Sequence, residues 1–461
     1  MKKLMALIIN VLLVVMLAAC SSGSGADSGT YTAPEVEKVS DMEGTVKVAL
    51  AGWQLEDGID PITGNQVTGF NKYVENTFNK MYPNIKLEVT QIPWENAQAK
   101  QKALLMSGDV DVLYTGGAFA AQFYQQGLLR GIDDLIAKDT SFDPTIYLEG
   151  IWNSSYSTKS SDGAVQFGIP SVLGKRVTIY DKTIFDQWGV EPLSEVPTPE
   201  EILEKAKKMT GKNPQTGQPN YGLWFNGSSL NQSTFVALTY YYGAKGAEGS
   251  LADPKNIKWE LNTPEMKKVM EWLSEAAKLA PPAFVNGKGA ENFGIEDNPI
   301  AIALDSPGSG TMSEYRATGN KELIDRFVPV MNIGPKGEGW VAMDPIIMAA
   351  NTKNPEAAWE VMKFLSSYET QKWAYLNFDM TPTLKEADFV EEENGFVQRA
   401  MQIADITTPT LMDEANPFYN SEIVPAVNGF ISEAANGGSP DIDALLTRLQ
   451  TRAEAWSASQ K

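Results

Sequence analysis

The sequence predicts an α/β fold with room for two domains, on three observations. Apolar strands and amphipathic helices alternate along most of the chain, as in βα units built around a mostly parallel sheet. Several helices open on recognisable capping signals. The 461 residues are 43% hydrophobic and include 11 tryptophans, enough apolar surface for two separate cores.

Taken in order, Thr45-Val46-Lys47-Val48-Ala49-Leu50 reads as a buried strand. Phe70, Tyr73, Val74, Thr77, Phe78 and Met81 share one helical face, and Pro83 closes that helix. Ile85, Leu87 and Val89 alternate as a second strand, followed by a helix from about Glu95 to Met106. Asp109 to Tyr114 is the third strand, and Phe119 with Phe123 anchors a helix that stops at Gly127. Further on, Thr198-Pro199-Glu200-Glu201 is a capping box, with Thr198 at the cap and Glu201 placed to reach back. Asn354-Pro355-Glu356 opens a helix whose inner face holds Ala358, Val361, Met362 and Leu365, and Ile442, Leu445, Leu446 and Leu449 mark the last helix.

The N-terminus is of another kind. Lys2 and Lys3 precede an apolar run from Leu4 to Ala19, too short to span a bilayer comfortably and of the length of a signal-peptide core. Leu17-Ala18-Ala19-Cys20 resembles the bacterial lipobox, in which the cysteine is lipidated and becomes the new N-terminus. Cys20 is the one cysteine in the sequence. Residues 1–19 are therefore expected to be a signal peptide and 20–40, rich in Ser and Gly at the start, a lipidated flexible tether.

Composition excludes several functions. Removing the leader takes away Lys2 and Lys3 and no acid, so the formal charge of −20 becomes about −22. Such a chain repels phosphate backbones, which argues against nucleic acid as a partner. There is no histidine, so His-based triads and nearly all zinc sites are excluded, and with Cys20 lipidated no thiol nucleophile remains. Asp57, Asp60 and Asn65 carry oxygen ligands without the spacing of an EF-hand loop, and neither metal nor cofactor is assigned.

The ordered motifs resemble the family 1 extracellular solute-binding proteins of ABC importers, which include the maltodextrin-binding proteins. The resemblance runs through Phe78 to Ile85, Met106 to Val112, Gln126 to Leu129, Gly168-Ile169-Pro170, Ile179 to Phe185, Asn354 to Leu365 and Pro382. Three departures stand out: Asp181 in place of the usual Asn, Pro199 in place of a common Trp, and a longer first loop from Glu56 to Val67. The resemblance implies two α/β lobes with the ligand cleft between them, the first from about 41–178 and 330–384, the second from 179–329 and 385–461.

Ligands of open α/β sheets bind beyond the carboxyl ends of strands. That rule selects Trp53 and Gln54, Trp94 and Glu95, Thr115 and Gly116, Trp224 and Asn226, Asp305 and Ser306, and Trp340 with Asp344, with Lys175-Arg176 nearby. Tryptophan beside acids and amides suits a sugar, whose C–H faces lie on aromatic rings and whose hydroxyls pair with carboxylates. Trp53, Trp224 and Trp340 are the first stacking candidates and Trp94 follows them. Trp188, Trp259, Trp272, Trp359, Trp373 and Trp456 are expected to pack. Of Tyr240-Tyr241-Tyr242, one ring is expected in the core and one at the cleft.

The resemblance implies a monomeric binding protein without catalysis, lipid-anchored on the outer leaflet of the cell membrane. It would close on a sugar or oligosaccharide and deliver it to the transmembrane subunits of an ABC permease. Two alternatives remain: a surface receptor that signals to a sensor kinase, and a glycosidase built on two carboxylates.

Overall fold

A computed structural model describes residues 39–59, 66–155, 157–174, 176–226, 233–289, 293–304, 319–390 and 395–460. Cys20, Asp60, Asn65, Lys175, Asp305 and Ser306 lie outside the described residues.

Among the described residues, eleven strands build the two larger sheets. In chain order they are β1 (Gly44–Ala51), β2 (Ile85–Ile92), β3 (Val112–Tyr114), β4 (Gly168–Leu173), β5 (Thr178–Asp181), β6 (Gly211–Lys212), β7 (Pro219–Trp224), β8 (Ile300–Ala303), β9 (Phe327–Val330), β10 (Met343–Met348) and β11 (Thr381–Pro382). The first sheet has the order β11-β4-β10-β3-β1-β2 and the second β9-β5-β8-β7-β6. Helices Ala97–Ser107, Gly117–Gln125 and Pro355–Leu365 pack on the first sheet, and Lys182–Trp188, Pro199–Lys208 and Lys321–Arg326 on the second.

β1 pairs in parallel with both β2 and β3, whereas β10 lies antiparallel between β3 and β4. The reason is connectivity. The chain leaves the first sheet after Leu173 at the end of β4, enters the second at Thr178, and returns after Val330 into β10. It re-enters at the edge where β4 ends, pairing Met343 with Leu173, so it has to run against β4. β5 enters the second sheet in the same way, with Thr178 opposite Val330 at the end of β9. Leu148, Ile151, Leu173, Met343 and Ala404 form an apolar cluster at this crossing. Helix Phe396–Ile406 packs there against β4, β9 and β11.

Most elements fall where periodicity places them, and the differences have local causes. The helix expected from Phe70 to Met81 breaks at Thr77, whose φ and ψ are −124° and −82°. Its hydroxyl donates to the Tyr73 carbonyl at 2.6 Å, a side-chain bond that competes with the helical ladder. The third strand is regular only from Val112; at Asp111 the amide already donates to the Lys47 carbonyl (2.9 Å), while the carboxylate accepts from the Lys47 amide (2.9 Å) and the Thr352 hydroxyl (2.6 Å). The capping box is half formed. Thr198 Oγ1 accepts from the Glu201 amide at 3.1 Å, but the Glu201 carboxylate accepts from the amide and hydroxyl of Ser194 instead of reaching back.

Asp181, where the family resemblance leads one to expect Asn, does more than adjust packing. It is fully buried and caps helix Lys182–Trp188 by accepting from the Thr183 and Ile184 amides. It also takes a two-pronged contact from Arg326, with Nε at 2.9 Å from Oδ1 and Nη2 at 2.7 Å from Oδ2.

Candidate functional site

The parallel strands β1, β2, β3 and β4 end at one edge of the first sheet, where β10 begins. That edge carries Gly52, Trp94, Thr115, Gly116 and Asp344. On the second sheet β7, β8 and β9 end where β5 begins, an edge carrying Trp224, Leu304, Asn332 and Arg176. A narrow pocket lies where Met343, at the first edge, comes near helix Ser233–Tyr242. Its walls include Ser157 and Met343 from the first sheet's side, Val236 and Tyr240 from the second's, and Trp340 and Asp413 between.

Among the described residues, Asp344, Asp413 and Glu414 bring carboxyls to this region, each enclosed by protein yet touched by solvent. Asp344 at the start of β10 accepts from the Tyr114 hydroxyl at 2.7 Å. Burial pushes its carboxyl up to about 7, with Tyr114 and the Arg176 charge pulling the other way. Burial likewise raises Asp413 to about 6, against the backbone amides of Ala415 and Glu414 and the Trp340 indole. Glu414 is raised to about 7 by burial first and by the Asp413 charge next, with Arg176 opposing. The Arg176 guanidinium lies 5.2 Å from the centre of the Trp340 ring. Among the described residues, no three acids converge closely enough to hold a metal ion. A set of half-buried carboxyls with one guanidinium and aromatic faces can bind polyhydroxylated molecules through charge-assisted hydrogen bonds.

The expected stacking tryptophans divide. Trp53 is 1% exposed, edge-on to Phe70 and Tyr114 at 5.3 Å and tilted against Trp373 at 5.7 Å. Its faces belong to the core of the first sheet, so the expectation of a ligand face there is corrected. Trp224 is 3% exposed and donates through Nε1 to the Lys288 carbonyl at 3.1 Å, which also commits it to packing. Trp340 is 8% exposed and lines the pocket. Trp94, ranked behind the others on sequence, is 45% exposed.

Among the remaining candidates, Gln54 and Glu95 are exposed, and Gln54 donates to the Glu56 carbonyl at 2.9 Å. Thr115 is fully buried and bonds Gln101 at 2.5 Å, a structural role. Gly116 lies beside Asp344. Asn226 is half-buried at the end of β7. Asp57 accepts from the Gly69 amide at 2.9 Å and so helps to shape the first loop. Tyr240 reaches the pocket and donates to the Thr408 carbonyl at 2.5 Å. Sequence reasoning missed Tyr114, Asp413 and Glu414. The last two sit between helices in a stretch with no periodicity, so nothing local marked them.

Comparison with known proteins then decides the family. Residues 63–372 match the family described as bacterial extracellular solute-binding protein, about two thirds of the chain. The chain is a bacterial extracellular solute-binding protein. A binding protein of Brucella abortus is 23% identical to this solute-binding protein over 324 residues, covering 68% of this chain and 72% of that one. The ABC substrate-binding protein of Listeria monocytogenes solved with cycloalternan superposes with a TM-score of 0.66 at 18% identity, over 91% of this chain and 100% of that one. The sugar-binding protein MalE of Xanthomonas citri gives 0.69 at 15% identity, over 90% and 98%. These likenesses show the two-lobe α/β fold of such proteins. No helix of the solute-binding protein among its described residues is long and apolar enough to cross a membrane.

Proposed function

We propose that this protein captures a sugar or oligosaccharide between two lobes and delivers it to the transmembrane subunits of an ABC permease. The lobes are 41–178 with 330–384, and 179–329 with 385–461. The observation that carries the reading is the meeting of the two strand-end edges around Asp344, Asp413, Glu414 and Arg176, flanked by Trp340 and Trp94. The relatives in structure support it, since one was solved with cycloalternan and another is named a sugar-binding protein. The space between the edges is narrow, so entry requires the lobes to part and the ligand then favours the closed form. Gly116, Asn226, Gln54 and Glu95 belong to the proposed rim, and Lys175, Asp305 and Ser306 remain candidates from the sequence. The protein acts as a monomer and turns nothing over.

The test is a thermal-shift screen against mono- and oligosaccharides, followed by calorimetry and by chromatography of the incubated sugar. Reversible binding with the sugar recovered intact is expected; a shortened sugar would favour a carboxylate glycosidase instead. A permease role further requires that deletion of the protein abolish uptake of the same sugar. Loss of a transcriptional response with uptake intact would point to a sensor.

Anchoring through Cys20 on the outer leaflet belongs to the same proposal. Cys20→Ala should move the protein from the membrane fraction to the medium or leave it unprocessed. An intact mass showing bare Cys20 in mature, membrane-bound protein contradicts the anchor.

A further inference from the structure

We propose that Gly52 is a positioning residue for ligand: its bare backbone seats the Trp94 indole as a fixed stacking platform for one sugar ring, close to Asp344. This rests on the sugar-binding reading above and adds which ring stacks and what holds it there.

Gly52 follows β1 directly, with φ at +72°, and its amide donates to the Ile92 carbonyl at 2.9 Å. A Cβ at this position would lie 2.2 Å from Trp94 Nε1 and 2.5 Å from Cδ1. The indole therefore rests directly on the glycine, in space that any side chain would fill. A second contact comes from Tyr114, edge-on to Trp94 with centroids 6.0 Å apart and planes at 67°. The backbone of Trp94 is held too, since its carbonyl accepts from the Ala97 amide at 3.0 Å as helix Ala97–Ser107 begins.

An indole 45% exposed but held from below, from the side and through its backbone is not a loose surface ring. Its contacts fix the orientation before any ligand arrives, which lowers the ordering cost of binding. The polar partner is one residue away. Tyr114, which touches Trp94, donates its hydroxyl to Asp344 Oδ2 at 2.7 Å. An apolar face next to a carboxylate is what a pyranose needs, its C–H face on the ring and its hydroxyls toward the acid. Trp53 cannot supply that face, because its own are used by the core. The first sheet's edge thus presents its aromatic surface through Trp94, and Gly52 permits it.

The experiment is a double-mutant cycle on the full-length protein: wild type, Gly52→Ala, Trp94→Ala and the pair. Calorimetry would use glucose, maltose, maltotriose and a cyclic glucan as probes. For every sugar that binds the wild type, Trp94→Ala is expected to weaken binding about 10- to 100-fold. Gly52→Ala should weaken it comparably, and the pair no further than Trp94→Ala alone. Trp94→Phe, which keeps a ring, should recover part of the loss. Unchanged affinity in either single variant, or losses that multiply in the pair, overturns the inference while sugar binding stands. If the wild type binds none of the probes, the inference and the sugar-binding reading fall together.

Discussion

Replacing Asp181 by alanine is expected to destabilise the protein by about 3–5 kcal/mol, the loss typical of breaking a buried ion pair from one side. The cost has three sources. Arg326, whose side chain is 14% exposed, would keep its charge and lose the carboxylate that holds it through Nε and Nη2. Helix Lys182–Trp188 would lose the cap that accepts from Thr183 and Ile184, worth about 1 kcal/mol. The Asn298 amide would lose its bond to Asp181 Oδ2 (2.7 Å) and keep only the one to the Ile300 carbonyl (2.7 Å). Asp181→Asn retains a capping oxygen but not the charge, so its cost should be intermediate. Urea denaturation checks this, and a change below about 1 kcal/mol for Asp181→Ala would show that the pair is replaceable by solvent.

The unliganded protein is expected to lose stability as the pH rises from about 5 to about 7.5, through Asp344, Asp413 and Glu414. In the folded protein these carboxyls titrate at about 7, about 6 and about 7, against ordinary values of 3.8, 3.8 and 4.5. Between those limits the unfolded chain has given up these protons and the folded chain retains them. The folded state then binds more protons, so stability falls with rising pH. The contribution is complete below about pH 4, where both states are protonated, and is lost as the pH passes through 6 to 7. A carboxyl whose pKa rises by one on folding contributes about 1.4 kcal/mol, so the set should amount to a few kcal/mol after allowance for solvent contact. The groups facing it are Arg176, Tyr114, Tyr240, the Trp340 indole and the amides of Ala415 and Glu414. The measurement is chemical denaturation at pH 5, 6 and 7.5. The triple variant Asp344→Asn, Asp413→Asn, Glu414→Gln should show a much flatter profile. An equal slope in both proteins would place the pH dependence elsewhere.

Much of the fold was legible because its signals are local. The strand beginning near Thr45, the helix after Asn354 and the final helix each bury a set of residues at the spacing of their own element. Two failures show the limit of that logic. The helix from Phe70 has the right face throughout, yet the Thr77 hydroxyl interrupts its backbone. Glu201 has the right spacing for a capping box, yet Ser194 offers its carboxylate a closer donor pair.

The site was legible only in part. The rule that ligands lie beyond strand ends reached Asp344, Gly116, Trp340 and Trp94, because strand ends can be read from the sequence. It ranked Trp53 above Trp94, since order along a chain does not say which indole meets Phe70 and Trp373 and which meets water. By itself, then, the sequence determined the alternation of strands and helices, the absence of histidine chemistry and the family resemblance through its ordered motifs. Tertiary structure alone decided which strand ends face one another, and with them the company that Asp413 and Glu414 keep with Asp344 and Arg176. The physical reason is sequence distance. Some seventy residues separate Asp344 from Asp413, and more than 160 separate Arg176 from Asp344. No short-range pattern encodes such a meeting, and it arises only when the crossing segments bring the edges of the two sheets together.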